Sequence, residues 1–393
     1  MLGRRDFLRG CISLAAAVGL EGCLRHRTAD GNVPDTLSAS YPHLDVEGDS
    51  YQVGLAIGKR FGENIRQVLE RRREWFEKLC AFVEQNPEER YRPYFEAVKQ
   101  HFPDFIEELR GTAEGAGVEL RHLVILNLAA ELEAMQKKPC GCPGCSTLAL
   151  VWKDNVLLAH NEDGDYTYAD LMYTVRVKRP GKPPFFALVY PGILPGNAPV
   201  WNQSGMVMTT NFIGGLSVRP GVGRYFLSRA MCEAESLEEA VRIASMAERA
   251  YSFHFCIGST RTKEIFSVET CPERVEVQKV EGLYIHTNHL VLPTMRDLPQ
   301  DQEYLEISSM SRYRVLEEMV KAYQGNYDKV DGERLIQMLS SHQGRPTAPC
   351  RHYRPPSRGV TLASALFDLQ VERVRLYRSH PCLGRFASFS IFG

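Results

Sequence analysis

Cys145 is the residue best placed by its neighbours to do covalent chemistry. It follows Gly144 at the end of the run Pro139-Cys140-Gly141-Cys142-Pro143-Gly144 and precedes Ser146-Thr147 and the apolar residues 148–151. A cysteine at the first position of a strand, just after a strained Pro-Gly turn, can lose its upstream peptide. Its thiol attacks the Gly144 carbonyl, the acyl group shifts from nitrogen to sulfur, and hydrolysis frees the Cys145 α-amine. Glycine at 144 puts no side chain in the way and reaches backbone angles that other residues avoid. The freed amine has a reference pKa of ~7.7–8.0, so it can serve as the general base for its own thiol. Nucleophile and base then share one residue.

Other chemistry-bearing residues lie at the ends of expected strands. Residues 156–161 read as a second strand that runs into Glu162 and Asp163. A hairpin turning at Lys153-Asp154-Asn155 brings Asp163 back beside Cys145, where its carboxylate could anchor the amine or a nearby backbone group. Much later, Tyr284-Ile285-His286-Thr287-Asn288-His289 ends a strand with an amide suited to an oxyanion, a contribution of roughly 3 kcal/mol for one such donor. Pro349-Cys350-Arg351-His352 places a guanidinium on a loop. With a base already assigned, His286, His289 and His352 read as supporting residues.

Several alternatives have less behind them. Cys140, Cys142 and Cys145 form a C-x-C-x-x-C cluster, but with no second C-x-x-C to complete a tetrahedral set, no metal is expected. A Cys140–Cys142 or more remote disulfide is the oxidised alternative after export. Cys80, Cys232, Cys256, Cys271 and Cys382 read as small core or strand residues. Ser204 sits between Gln203 and Gly205, not in a nucleophile elbow.

The elements that must position these groups fall into two textures. Residues 41–135 read as helical: Val53, Ile57, Phe61, Ile65 and Val68 recur at three- and four-residue steps, and Pro103 marks a break or a new start. Gly54, Gly58 and Gly62, four apart, signal close helix packing. The Gly/Pro/Cys knot at 139–145 excludes helix. Strand-like runs follow at 146–152, 156–161, 171–178, 185–190 and 206–211, then helical patterns at 224–233 and 236–249. Four further strands (252–258, 263–269, 274–280, 283–287), two helices (308–323, 332–340) and two last strands (360–368, 373–378) complete the chain. Strands clustered around a few helices without βαβ alternation indicate an antiparallel α+β architecture. The 393 residues carry 47 basic and 48 acidic side chains and are 44% apolar, a balance that gives a nucleic-acid binder no support and is that of a globular chain.

Residues 1–23 read as an export signal. Arg4-Arg5-Asp6-Phe7-Leu8 has the twin-arginine form, and the ten apolar residues from Cys11 to Leu20 are too few to span ~30 Å of hydrocarbon as a helix. Leu20-Glu21-Gly22-Cys23 resembles a lipobox with Glu21 as its poor fit, so Cys23 is a candidate for lipidation. An uncleaved anchor is the alternative. Residues 24–40 look like a tether. The expected location is periplasmic, or membrane-attached only through this signal or its lipid.

Taken in order, these segments resemble the acyl-coenzyme A:6-aminopenicillanic acid acyltransferase family, peptidase family C45 of the N-terminal nucleophile hydrolases. Gly48 to Gly54 resembles the family's opening segment. Phe105 to Leu132, with Glu108 to Gly117 inside it, resembles its helix before the cleavage site, and Gly144-Cys145-Ser146-Thr147 its autoproteolysis site. Asn161-Glu162-Asp163, Tyr190-Pro191-Gly192 to Gly205, Thr287-Asn288-His289 and Cys350-Arg351-His352 resemble its later motifs. The resemblance implies a four-layer αββα sandwich of two antiparallel sheets with an N-terminal helical segment. It also implies a self-cleaved heterodimer of about 24–144 and 145–393, with 41–144 and 145–393 forming one composite domain. It assigns Cys145 as nucleophile, Asp163 as the carboxylate that orients it, Asn288 as oxyanion donor and Arg351 as shaping the cleavage or substrate site. Glu162 stands where the family commonly has an aromatic residue; with Tyr190 and His289 it is a candidate for the substrate pocket, and an acid there suits a cationic or amine-bearing substrate. The expected activity is hydrolysis of a linear amide through a thioester on Cys145, with no cofactor. Acyl transfer to an amine, with acyl-CoA as a donor, is the enzymatic alternative, and a metal-binding lipoprotein module the non-enzymatic one.

Overall fold

The computed structural model describes residues 38–136, 144–300 and 305–392. The twin arginines, Cys23, Cys140 and Cys142 lie outside the described residues. Helix α1 (Ser50–Arg71) opens on a capping box: Gln52 N–H donates to Asp49 Oδ1 at 2.9 Å, and Asp49 N–H donates to Gln52 Oε1 at 3.0 Å. Its buried face is the apolar series Val53, Ile57, Phe61, Ile65 and Val68. Five more helices of at least seven residues follow, α2 (Arg73–Gln85), α3 (Arg92–His101), α4 (Pro103–Ala116), α5 (Leu120–Asn127) and α6 (Ala129–Met135), with a single helical turn at Pro87–Arg90 between α2 and α3. Pro103 starts α4, where its missing N–H costs nothing, and Gly117 at φ 67° ends it.

The glycine spacing on α1 is matched on α4. A Cβ at Gly54 would overlap the Glu108 carbonyl, one at Gly58 the Thr112 carbonyl, and one at Gly111 the Tyr51 carbonyl. The two helix backbones therefore touch along the whole contact. Glycine is required there for its lack of volume.

Among the described residues fourteen strands form two sheets. The larger contains β1 (His43–Glu47), β4 (Tyr173–Lys178), β5 (Phe185–Val189), β6 (Val200–Asn202), β7 (Met206–Phe212), β8 (Phe253–Ser259), β9 (Glu264–Thr270) and β10 (Val275–Lys279), in that spatial order. The smaller runs β11 (Gly282–His286), β2 (Ser146–Trp152), β3 (Asn155–Asp165), β12 (Gly359–Asp368), β13 (Arg373–Arg378), β14 (Phe386–Ser390). Helices α7 (Arg224–Met231) and α8 (Leu237–Ala244) follow β7; α9 (Ser311–Lys321) and α10 (Gly332–Leu339) precede β12.

Side-chain alternation sorts these elements into four layers. Ala149 and Leu158 point between the sheets, into a core shared with Leu188, Trp201 and Val207. Leu148, Leu150 and Leu157 point the other way, onto Leu316, Leu335 and Leu339 of α9 and α10. The far face of the larger sheet presents Val175, Phe185 and Phe255 to Val53, Ile57 and Phe61 of α1 and to Leu237 and Ala240 of α8. The order helix, sheet, sheet, helix is the αββα sandwich. Among the described residues no helix is long and apolar enough to cross a membrane.

Three sequence expectations need correction. Residues 43–47 lie within a stretch read as helical but form β1, which pairs parallel with β4, so the larger sheet is not wholly antiparallel. His43, Asp45 and Glu47 are exposed on this edge strand, and two half-buried apolar residues are too few to show a period of two. The sequence pattern assigns no strand to residues 200–202 and 386–390, which form β6 and β14. The first is only three residues long and the second is an edge, so both take their conformation from the neighbouring strand.

Because the α1–α4 contact has no slack, Gly54→Ala or Gly111→Ala should lower stability by about 2 kcal/mol or more. Urea unfolding of the full chain checks this; an unchanged midpoint would show that the helices can separate freely.

Candidate active site

The β2–β3 hairpin turns at Lys153, whose φ is 52°, and pairs Ser146 with Asn161 and Thr147 with His160. Continued by one residue, this register sets Cys145 opposite Glu162, on the face between the sheets. Cys145 is buried, with Sγ 3.7 Å from Glu162 Oε1 and 3.9 Å from the Asp163 carbonyl oxygen. Burial pushes its thiol well above the usual cysteine range, and the negative charges of Glu162 and Asp163 push it further. In the continuous chain this sulfur holds its proton.

Glu162 is itself tightly bound. Tyr190 O–H donates to Oε1 at 2.6 Å, and His160 Nε2 lies 3.2 Å from Oε2. Burial, with Glu162 alongside, keeps Tyr190 far above the usual phenol range, so it stays a donor. His160 Nδ1 meets Thr147 Oγ1 at 2.8 Å, and Thr147 O–H donates to Asn211 Oδ1 at 2.8 Å. His254 Nδ1 also reaches Asn211 Oδ1, at 2.8 Å, its Nε2 reaches Ser267 Oγ at 3.0 Å, and its ring stacks on His286 at 3.4 Å. A polar ladder thus runs from the thiol through the otherwise apolar space between the sheets.

Asp163, one residue on, faces away from this ladder. Its Oδ1 accepts from Thr361 O–H at 2.7 Å, and its Oδ2 is 3.4 Å from Arg351 Nε. Burial pushes the carboxyl up to about 6, against the opposing pull of Arg351 and Arg312. Arg351 donates onward to Ser308 and, through its backbone N–H, to Thr361 Oγ1 at 2.9 Å. Asp163 and Arg351 are therefore brought together, beside the peptide that bears Cys145.

Asn288 closes the other side. Its Nδ2 donates to the Phe212 carbonyl at 2.8 Å, its backbone N–H donates to Ser309 Oγ at 2.7 Å, and its Oδ1 accepts from Arg312 Nη2 at 2.7 Å. Arg312, fully buried, also donates to the Cys145 carbonyl and to Ser146 Oγ. A Cβ at Gly144 would overlap Asn288 Oδ1 and Arg312 Nη2. The Gly144–Cys145 peptide is thereby held between an amide and a guanidinium, with no room for a side chain before the cysteine.

Cys145, Glu162, Asp163 and Tyr190 lie in the wall of a cavity of about 470 Å³. Trp75, Leu126 and Glu133 wall it from the helical segment, and Tyr168, Phe212 and Arg224 from the β-rich body. His289, expected in the pocket, does not line it: its Nδ1 sits 2.8 Å from Ser309 Oγ and its ring packs edge-on against Tyr313. Burial holds His289 down to about 3, so it is neutral. Asn288 and Arg351 stand behind the cavity wall rather than in it.

Arg312, Ser308 and Ser309 were not singled out from the sequence. An arginine in an amphipathic helical stretch reads as a solvated face, and only the packing of α9 against β11 turns this one inward. His160 was noted as a strand residue, but its contact with Glu162 appears only once the register and face are known.

The family model for acyl-coenzyme A:6-aminopenicillanic acid acyl-transferase matches residues 151–381, and the chain belongs to that family. It is 27% identical over 370 residues to a β-alanyl-dopamine/carcinine hydrolase of Drosophila melanogaster, covering 86% of this chain and 93% of the fly protein. It is 24% identical over 337 residues to the 40 kDa form of the acyl-coenzyme A:6-aminopenicillanic-acid-acyltransferase of Emericella nidulans, covering 83% and 89%. A solved conjugated bile acid hydrolase of Clostridium perfringens superposes with a TM-score of 0.45 at 13% identity, over 63% of this chain and 94% of the other. The protein is accordingly an enzyme of the amide-hydrolysing and acyl-transferring class, acting on carbon–nitrogen bonds.

The Asp163 value gives the sign of a pH effect. Above about 6 the carboxylate is charged and attracts Arg351; as pH falls through about 6 it gains a proton and that attraction is lost. A base with the α-amine's ordinary pKa, ~7.7–8.0, gives the kcat/KM profile its first acid limb, and protonation of Asp163 should add a second, steeper fall through about pH 6. Asp163→Asn should lose the second fall and keep the first; a second fall unchanged in Asp163→Asn would assign it to another group.

Proposed function

We propose that this chain is a self-processing cysteine amidohydrolase that cuts itself between Gly144 and Cys145 and then uses the new N-terminal residue as nucleophile. The reading rests on one observation above the rest: a buried thiol beside a cavity, 3.7 Å from a carboxylate and directly after a glycine that has no room for a side chain.

In the precursor the Cys145 thiol passes its proton toward Glu162, which His160 and Tyr190 support. Sulfur attacks the Gly144 carbonyl carbon. The Arg312 guanidinium, whose Nη2 lies beside Gly144, meets the developing oxyanion, and Asn288, whose Oδ1 faces Gly144 and accepts from Arg312, becomes a donor there by turning its amide. The Gly144–Cys145 C–N bond breaks, the nitrogen takes the proton, and a thioester joins Gly144 to sulfur. Water hydrolyses it, leaving a Gly144 carboxylate and a free Cys145 with α-amine and thiol.

Turnover repeats these steps on a substrate. The Cys145 α-amine takes the thiol proton and delivers it to the leaving amine. Water, or a second amine, resolves the thioester. Asp163 holds Arg351 and the start of β12, and through them the backbone around Cys145. The cavity carries the carboxylates of Glu74, Glu133, Glu162, Asp163 and Asp165, the guanidiniums of Arg71, Arg72, Arg224 and Arg358, and aromatic faces. The aromatic faces support an aryl-bearing amide and Glu162 beside Cys145 an amine-bearing one, as in the β-alanyl-dopamine of the fly relative's name. Acyl transfer from acyl-CoA, the reaction named for the Emericella relative, is the second reading. Thioester consumption that needs an added amine would favour it.

The two products, about 24–144 and 145–393, would stay associated because α1 packs on the larger sheet and both segments wall the cavity. The export reading rests on Arg4, Arg5 and the apolar run from Cys11. It places the mature enzyme in the periplasm, or on the membrane through a lipid at Cys23.

Mass spectrometry of the purified full chain should find two fragments divided before Cys145. Cys145→Ala should remain one chain and hydrolyse no amide, while still binding substrate. Active enzyme continuous across 144–145 defeats the proposal, as does a cut Cys145→Ala protein.

A further inference from the structure

Four metal-ligating side chains, distant in sequence, converge beside the loop that carries Arg351. His342 follows α10, Cys350 and His352 flank Arg351, and Cys382 lies in the turn between β13 and β14. Cys350 Sγ and Cys382 Sγ are 3.7 Å apart, and His342 Nε2 and His352 Nε2 are 3.1 Å apart. His352 Nε2 lies 3.8 Å from Cys350 Sγ and 3.4 Å from Cys382 Sγ. All four donor atoms lie within 4.8 Å of one another.

These separations have the size of a tetrahedron's edges. With metal–sulfur bonds of ~2.3 Å and metal–nitrogen bonds of ~2.0–2.1 Å, donors around a tetrahedral ion stand about 3.8 Å apart for two sulfurs, about 3.3 Å for two nitrogens and about 3.5 Å for a mixed pair. The four measured edges fall within a few tenths of an ångström of those values. A disulfide between the cysteines would need its sulfurs at ~2.05 Å. Weak thiol hydrogen bonds do not by themselves draw four such groups to one point.

We propose that His342, Cys350, His352 and Cys382 bind a zinc ion. Two sulfurs and two imidazole nitrogens in tetrahedral array suit zinc among the common divalent metals. Four protein ligands leave no open position, so the ion would be structural. It would tie the 340–358 loop to the β13–β14 turn and hold the backbone of Arg351 from both sides, which aims that guanidinium at Asp163 and Ser308. The surroundings favour this: His380 stacks on His352 at 3.9 Å, and the Cys350 N–H donates to the Ser341 carbonyl at 3.0 Å. The proposal departs from two sequence expectations. No metal was expected, and Cys382 was read as a core or strand residue, whereas it lies exposed in a turn.

Elemental analysis of the full chain, purified without chelator, tests it. The wild type should carry about one zinc per chain, Cys350→Ser and Cys382→Ser should lose it, and Cys145→Ala should keep it. The last variant separates this site from Cys145, His160 and Glu162, the other group that could hold an ion. If the serine variants fail to fold, cobalt-substituted Cys145→Ala protein decides, through the strong visible bands of a tetrahedral site with thiolate charge transfer. A chain that takes up no zinc or cobalt, a Cys350–Cys382 disulfide in the non-reduced peptide map, or zinc retained in both serine variants would each overturn the proposal.

Discussion

The proton on the Cys145 sulfur is held there by burial and by two acids, and most of the site can be understood from that constraint. A thiolate in that position would lack water and would face Glu162 and Asp163. The continuous chain therefore holds its sulfur protonated, with Glu162 as the acceptor for the single cleavage and only an amide nitrogen where the base of repeated turnover would stand. In the proposed scheme one cleavage changes this, because a free α-amine appears on the same residue. A charged ammonium beside the sulfur would oppose the effects that hold the proton on. Latency and activation would then be two electrostatic states of one residue.

The same constraint explains the polar groups beside an apolar core between the two sheets. Glu162 could not lie between two sheets alone; Tyr190 and His160 bind it, and Thr147, Asn211 and His254 bind them in turn. Each orphaned group in a buried ladder of this kind costs a full desolvation penalty, and among the atoms of these named residues Asn211 Nδ2 is buried without a hydrogen-bond partner. Register is what assembles it. A slip of one residue between β2 and β3 would turn Glu162 toward α10 and Asp163 toward the thiol.

The helical segment contributes by closeness. Glycines let α1 and α4 touch backbone to backbone, and α1 then covers the larger sheet with Val53, Ile57 and Phe61. Trp75 and Glu133 reach the cavity from this side. The wall facing Cys145 is thus built from chain on both sides of position 144, which supports the reading that two fragments would remain one enzyme.

Much of this was legible in the residues themselves. The spacing of Val53 to Val68 marked a helix face, Pro103 marked a break or a helix start, and the short strand-like runs after 145 marked most strands of both sheets. Gly144-Cys145 marked the position proposed to react, because glycine before cysteine has a local chemical meaning. Local signals failed where conformation is imposed from outside, as in β1, β6 and β14, which are short or at edges. They also failed where a side chain's role depends on which way it points. Arg312 sits in a stretch that reads as a solvated helix, and only packing against β11 buries its charge beside Cys145. His289 lies in the same motif as Asn288, yet it turns toward Ser309 and away from the cavity. Which of Glu162 and Asp163 meets the thiol was settled by strand register, and the gathering of His342, Cys350, His352 and Cys382 by the meeting of two loops. Sequence carries periodicity, capping and the chemistry of adjacent residues, because those act over a few bonds; the direction of a side chain and its distant neighbours arise only when elements pack.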